Sequence, residues 1–154
     1  TDLNAVYKLS EAFRVKLRLN AQFSNDILVA VQQISLGGPT AVRAYPAGAY
    51  VADKGGVVSA DFIYNFNQYA SISAFYDVAH GQKNAFNDAN QEDNANFGGY
   101  GLGLELRYKN TATFNLTAAW AQGVDDDDLN LGQGGREASG RDEPQIFGSL
   151  VVKF

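Results

Sequence analysis

Apolar and polar residues alternate one by one along several stretches of this chain, and this pattern constrains its fold more than any other feature. From Phe13 to Ser24 every second residue is apolar, and polar or charged residues fill the positions between. Successive side chains of a β-strand point to opposite faces, so the pattern predicts strands with one apolar and one polar face. It recurs, most weakly in the first range, at residues 3–9, 58–66, 70–78, 102–108, 112–120 and 146–154. We therefore expect about seven antiparallel strands.

Three further features indicate that the apolar face meets lipid. The predicted strands have roughly ten to twelve residues, which suits a tilted membrane-spanning strand better than a strand of a soluble sheet. Short connections at 10–12, 67–68 and 109–110 alternate with long polar ones at 25–54, 81–96 and 123–144, and aromatic residues lie near the short turns. The expected fold class is all-β, a transmembrane antiparallel β-barrel. A soluble barrel or sandwich is the alternative.

Composition excludes several other classes. No apolar run reaches the 18 residues of a transmembrane helix, and neither a signal sequence nor a starting Met is present. The net charge of -5 argues against nucleic acid as the main partner, because binding to phosphates needs clustered cations. The absence of cysteine decides nothing about the redox compartment.

The segment 34–48 places a charged residue in a glycine-bounded loop among these strands. Its motifs are Leu36-Gly37-Gly38-Pro39 and Val42-Arg43-x-Tyr45-Pro46. The segment resembles the loop signature of two-partner-secretion transporters of the haemolysin-activator type. Phe75-x-Asp77 resembles the second signature of that family, in which the Asp is the partner of the loop Arg. The resemblance implies that Arg43 pairs with Asp77 and fastens the loop to the inner wall of the barrel, with Phe75 packed beside them.

The resemblance also implies a larger architecture. Transporters of this family have sixteen strands preceded by periplasmic POTRA domains, and five strands follow their signature loop, as they do here. We expect residues 1–154 to be the C-terminal part of such a barrel, with a lumen-folding loop at about 25–54. An odd count of seven strands agrees with a missing part, since bacterial barrels have even counts. The terminal Phe154 resembles the signal by which barrel-assembly machinery recognises a last strand.

The function implied is a pore in the bacterial outer membrane. It would move a large partner exoprotein, an adhesin or haemolysin, to the cell surface without ATP; it would not be an enzyme and would need no cofactor. Its partners would be the secreted protein, outer-membrane lipid and the assembly machinery. The alternatives are a small autonomous barrel, adhesin or porin-like, and a barrel-assembly insertase of the same superfamily, which shares Val-Arg-x-aromatic.

Three residues depart from the family pattern. Ala44 and Ala79 replace glycines, and Ala49 stands where Glu is frequent. Alanine adopts positive φ less readily than glycine, so a local turn at Ala44 different from that of the family is expected.

The polar faces of the strands predict a charged, wet inner wall, which suits a conduit for an unfolded polypeptide. The alternative is that these charges satisfy one another across neighbouring strands. The wall residues are Arg14, Lys16, Arg18, Asp61, Glu105 and Arg107.

Other polar features carry less weight. Asp125–Asp128 forms a solvated acidic loop more readily than a calcium site, because its spacing matches no calcium loop. The glycines of 98–103 precede no helix, so a phosphate site is rejected and close approach of another backbone is expected. His80, the single histidine, is expected to be structural or exposed.

Overall fold

Seven antiparallel strands form one sheet, as predicted, in a computed structural model that describes residues 1–84, 93–109, 111–122 and 144–153. Two short strands form a second, two-stranded sheet. The strands are β1 Asp2–Lys8, β2 Phe13–Gln22, β3 Ile34–Ser35, β4 Val51–Ala52, β5 Lys54–Asn65, β6 Ala70–Lys83, β7 Asp93–Tyr108, β8 Ala112–Gln122 and β9 Gln145–Val152. In these ranges no helix has the length and apolarity to cross a membrane.

The large sheet is a meander with one insertion. Its strand order is β1-β2-β5-β6-β7-β8-β9, with β1 and β9 at the two edges. The connection between β2 and β5 contains the small β3–β4 sheet and is by far the longest one described in full. Residues 9–12 and 66–69 make the tight turns at the opposite end of the strands.

The two faces of the sheet differ in the way the alternation predicts. Along β6, Ser71, Phe75 and Asp77 are buried, while Ile72 and Tyr76 between them are exposed. The exposed set on the other strands is also apolar and includes Val58, Phe62, Tyr100, Leu102 and Leu116. A face that is both apolar and exposed is what a lipid-facing wall requires.

The core lies between the inner face of the sheet and the insertion. Leu36, Val42, Tyr45 and Tyr50 of the insertion are fully buried. They pack in one cluster with inward residues of the sheet, among them Val57, Phe75, Ala79, Phe97 and Ala119. Complete burial of such side chains contributes roughly 1.5–3 kcal/mol each, so apolar contact helps to hold the insertion on the sheet.

Two predicted boundaries were wrong. Residues 81–96 were expected to be a connection, but β6 continues to Lys83 and β7 begins at Asp93. At the other boundary β2 ends at Gln22, and β5 begins at Lys54, four residues before the predicted start. Backbone hydrogen bonds extend a ladder without apolar side chains, so β5, β6 and β7 continue where their alternation has stopped. In contrast, β2 ends two residues before its alternation does.

Candidate functional site

The insertion is held in a compact shape by its own backbone. The amide of Leu36 donates to the carbonyl of Tyr50 (3.0 Å), and the amide of Val42 donates to the carbonyl of Leu36 (3.1 Å). Gly38 has a φ of 116°, a conformation that favours glycine, and its amide donates to Val42 (3.2 Å). A side chain at Gly37 would lie 2.6 Å from the carbonyl oxygen of Pro46. The two glycines therefore permit the turn that carries Arg43.

Val42 and Tyr45 flank this turn and anchor it in the core. Both side chains are fully buried. The ring of Tyr45 meets the ring of Phe97 edge to face, with centroids 4.8 Å apart. This contact fixes the insertion against β7, one strand beyond the strand that receives Arg43.

Arg43 reaches Asp77 through three hydrogen bonds. Its Nε donates to Oδ2 (2.9 Å), its Nη2 to Oδ1 (2.7 Å), and its backbone amide to Oδ2 (3.1 Å). The exposed fraction of the Asp77 side chain is 0% and that of Arg43 is 12%. A guanidinium that binds both oxygens of a carboxylate fixes orientation as well as distance. The turn of the insertion is thus tied to the middle of β6.

Asp61 and Phe75 also contact the guanidinium of Arg43. We call Arg43, Asp61, Phe75 and Asp77 together the Arg43 cluster. Nη1 of Arg43 donates to Oδ1 of Asp61 on β5 (2.6 Å). The guanidinium carbon lies 3.5 Å from the centroid of the Phe75 ring, in cation–π contact. Burial lowers the pKa of Arg43, but the two carboxylates outweigh that effect and raise it above its ordinary value. Arg43 is therefore a permanent cation held by two anions and one ring.

Asp61 is the member of the cluster that the sequence did not predict. The alternation predicts Asp61 on the inner wall but indicates no partner for it. Its register offers a signal, because Asp61 pairs directly with Phe75 across β5 and β6. A carboxylate opposite the aromatic residue of the Phe75-x-Asp77 motif falls within reach of any cation bound there. That signal is usable only once the register is known.

Glycines on the inner face make room for the insertion. A Cβ atom at Gly99 would lie 2.5 Å from the Cβ of Ala44, and one at Gly81 would overlap Leu36. The predicted close approach at 98–103 thus occurs at Gly99, and the segment lies wholly within β7. Among the described residues only Lys109 is a non-glycine with positive φ, so Ala44 has ordinary backbone geometry. A turn at Ala44 that differs from that of the family stays a prediction. The methyl group of Ala44 uses the space that Gly99 leaves.

A second polar cluster closes the base of the insertion around Asp53, which is buried between β4 and β5. Its Oδ1 accepts from the backbone amide of Leu28 (2.8 Å) and from the side chain of Gln33 (3.1 Å). Its Oδ2 accepts from the backbone amide of Asn84 (2.8 Å). Burial raises the pKa of Asp53, but these bonds outweigh it and hold the pKa below its ordinary value.

Low pH is expected to loosen the attachment of the insertion at Asp53. Because the folded pKa of Asp53 is lower than the unfolded one, its contribution is complete above the unfolded pKa of about 4 and is lost as pH falls through the folded pKa. Hydrogen exchange of the Leu28 and Asn84 amides, corrected for intrinsic rates, should therefore lose protection in strong acid. In Asp53→Asn protection should already be low at neutral pH. Equal protection of wild type and Asp53→Asn at pH 7 would contradict this role.

The remaining predicted residues lie apart from the Arg43 cluster. His80 points to the outer face, is exposed, and its Nδ1 lies 2.7 Å from Oδ1 of Asn96. Asp125–Asp128 and Phe154 lie outside the described residues. In the part of the chain that is described, no group of three or more His, Cys, Asp or Glu side chains is arranged to hold a metal ion. The chemical role of the Arg43 cluster is to attach the insertion to the inner face of the sheet.

Comparisons with known proteins place this site in a wider context. The family model described as haemolysin secretion/activation protein ShlB/FhaC/HecB matches residues 1–106. The heme/hemopexin transporter protein HuxB of Haemophilus influenzae is 29% identical over 118 residues, which cover 72% of this chain and 21% of the relative. HuxB of strain 86-028NP matches with the same identity and coverage. The match thus spans about a fifth of the length of these relatives. No solved structure gives a significant match.

Proposed function

We propose that this chain, which belongs to the haemolysin secretion/activation family ShlB/FhaC/HecB, contributes its sheet to a pore. A partner protein leaves the cell through this pore without ATP. Members of the family are outer-membrane transporters of Gram-negative bacteria, and the chain shares that location. Family membership also implies two-partner secretion, in which the cargo is a separate secreted protein.

The observation that carries the proposal is the attachment of the 31-residue insertion, 23–53, to the polar face of the sheet. The Arg43 cluster ties the middle of this segment to β5 and β6, and Asp53 ties its base. In a barrel whose apolar face meets lipid, the polar face lines the lumen. A loop held there by a buried ion pair occupies the path of the cargo. The role proposed for Gly37, Gly38, Val42, Arg43, Tyr45, Phe75 and Asp77 is to keep it in place.

The domain organisation is also a proposal. β1 and β9 are the two edges of the sheet, so one side of each has no strand partner among the described residues. A barrel abolishes such edges by pairing each with another strand. We propose that residues 1–154 are the C-terminal part of a larger barrel, with the inserted segment inside it.

The cargo remains to be chosen by experiment among adhesins, haemolysins and the heme/hemopexin type named for the relatives. The complete transporter would be co-expressed with each exoprotein in a Gram-negative host, and the exoprotein measured in medium and periplasm. We expect one class to reach the medium only when the transporter is present. A transporter that assembles in the outer membrane while every cargo class stays in the periplasm would refute the proposal.

Substitution on the two faces of β6 tests the orientation of the sheet. Ala74 is exposed on the apolar face, and its neighbour Ser73 lies on the polar face. An arginine at the lipid-facing position should lower the free energy of unfolding by about 2–4 kcal/mol at mid-bilayer depth, whereas one in the lumen meets water. Urea unfolding of the transporter in lipid vesicles should therefore separate Ala74→Arg from Ser73→Arg. Equal losses in the two variants would argue against a lipid-facing wall.

A further inference from the structure

A recess on the inner face lies between the Arg43 cluster and the short turns. We call it the cationic recess; its volume is about 410 Å³. The residues lining it that matter here are Arg14, Lys16, Ser73, Glu105, Arg107 and Asn115. Three of these side chains are cations and one is an anion, although the whole chain carries a net charge of -5.

Two of the three cations lack a carboxylate partner among the described residues. Arg107 forms an ion pair with Glu105 on its own strand, so these two charges offset one another. Nη2 of Arg14 donates to the neutral amide oxygen of Asn65 (3.1 Å), and its Nε is buried with no hydrogen-bond partner among those residues. In the part of the chain that the structure describes, no carboxylate therefore offsets the positive charge of Arg14.

Within the described residues Lys16 has no ion-pair partner, because the carboxylate opposite it, that of Asp61, binds Arg43. Asp61 lies directly opposite Lys16 across β2 and β5. Its carboxylate instead binds Arg43 at 2.6 Å, and its other oxygen lies 3.9 Å from Nε of Arg18. The Arg43 cluster thus removes the anion that would otherwise neutralise Lys16. The ion pair between Arg43 and Asp61 therefore both holds the inserted segment and leaves the recess positively charged.

The position of the recess suits a cargo polypeptide that enters the pore from the side of the short turns. Arg14 lies two residues closer to the 9–12 turn than Lys16 does, and both face the lumen. Short turns of outer-membrane barrels lie in the periplasm. A polypeptide on its way outward would meet Arg14 and Lys16 before it met the inserted segment.

We propose that the cationic recess binds carboxylate-rich segments of the polypeptide in transit, an inference that rests on the pore function proposed above. Arg14 and Lys16 supply the charge-assisted donors that carboxylates prefer. Ser73 and Asn115 offer neutral hydrogen bonds to a passing backbone. Gly103, which has no side chain, keeps the floor open. The recess selects for Asp and Glu in the cargo.

Single-channel recording tests this on the complete transporter in a planar bilayer. Polyglutamate or polylysine of equal length is added at the periplasmic side, and the affinity for current block is measured. We expect polyglutamate to block more strongly than polylysine, and Arg14→Gln/Lys16→Gln to weaken that block about tenfold. High salt should weaken it as well. Glu105→Gln frees Arg107 and should strengthen the block.

The matched control is Lys109→Gln/Lys153→Gln, which removes two cations near the short turns but outside the recess. It should leave the block by polyglutamate unchanged. Equal block of wild type and Arg14→Gln/Lys16→Gln would overturn the site, and so would equal block by the two peptides. If either occurs while the wild-type protein still exports its cargo, the recess is refuted and the pore stands. A wild-type protein that assembles in the outer membrane but exports no cargo class would overturn both.

Discussion

Replacement of Arg43 by alanine is expected to release the inserted segment from the sheet and to abolish most export, while the barrel stays assembled. Removal of the cation leaves Asp61 and Asp77 close together, with Asp77 fully buried. Breaking a buried pair in this way costs about 3–5 kcal/mol, which shifts docking of the segment by a factor on the order of 10²–10⁴. Asp77→Ala should have a smaller effect on docking, because Asp61 still holds the guanidinium.

Hydrogen exchange of residues 36–50 measures docking directly, and the amount of cargo in the medium measures export. The triple variant Arg43→Ala/Asp61→Asn/Asp77→Asn removes the facing charges and should recover part of the lost protection. Arg43→Lys should stay impaired, since an ammonium cannot make the two-pronged contact with Asp77. Normal export and unchanged protection in Arg43→Ala would show that the cluster does not fasten the segment.

A methyl group at Gly99 is expected to displace the segment without changing any charge. The new Cβ atom would lie 2.5 Å from the Cβ of Ala44, and overpacking of this kind costs about 1–3 kcal/mol. Gly99→Ala should therefore reduce both protection of residues 36–50 and export. The control is Gly148→Ala, where the nearest atom to an added Cβ is 3.9 Å away.

The same contact suggests a compensating substitution. Ala44→Gly removes the methyl group that Gly99→Ala strikes, so the double variant should regain most of the protection lost in Gly99→Ala. Ala44→Gly alone removes one buried methyl group and should have only a small effect. If the double variant is no better than Gly99→Ala, the interference lies with the Trp120 carbonyl, 3.2 Å from the added atom, and the argument from Ala44 fails.

The strands and their faces could be predicted because they depend on a short repeat. Phe75 and Asp77 belong on one face of β6 and Tyr76 on the other whatever the rest of the chain does. The strand ends could not be predicted in the same way. Gln82 and Lys83 lie in β6 because they pair with Asn94 and Asp93 of β7, and such pairing leaves no mark in a polar sequence.

The Arg43 cluster was predictable only in part, because its members lie far apart in the sequence. The family motifs indicate Arg43 and Asp77, but Asp61 joins them through the pairing of β5 with β6. Asp53 was missed altogether. It binds backbone amides of Leu28 and Asn84, and an amide is present at nearly every position. No side-chain pattern marks the ones that a carboxylate will select.

The contacts of the inserted segment fall on strands that follow one another in the chain. Asp61 lies on β5, Asp77 on β6 and Phe97 on β7, and each of these strands pairs with the next. Docking therefore requires two adjacent hairpins and no closed ring. During biogenesis the segment can settle on this partial sheet before the first and last strands of the barrel meet. In the larger barrel proposed above, the segment would be docked before the ring closes and would not have to be threaded in afterwards.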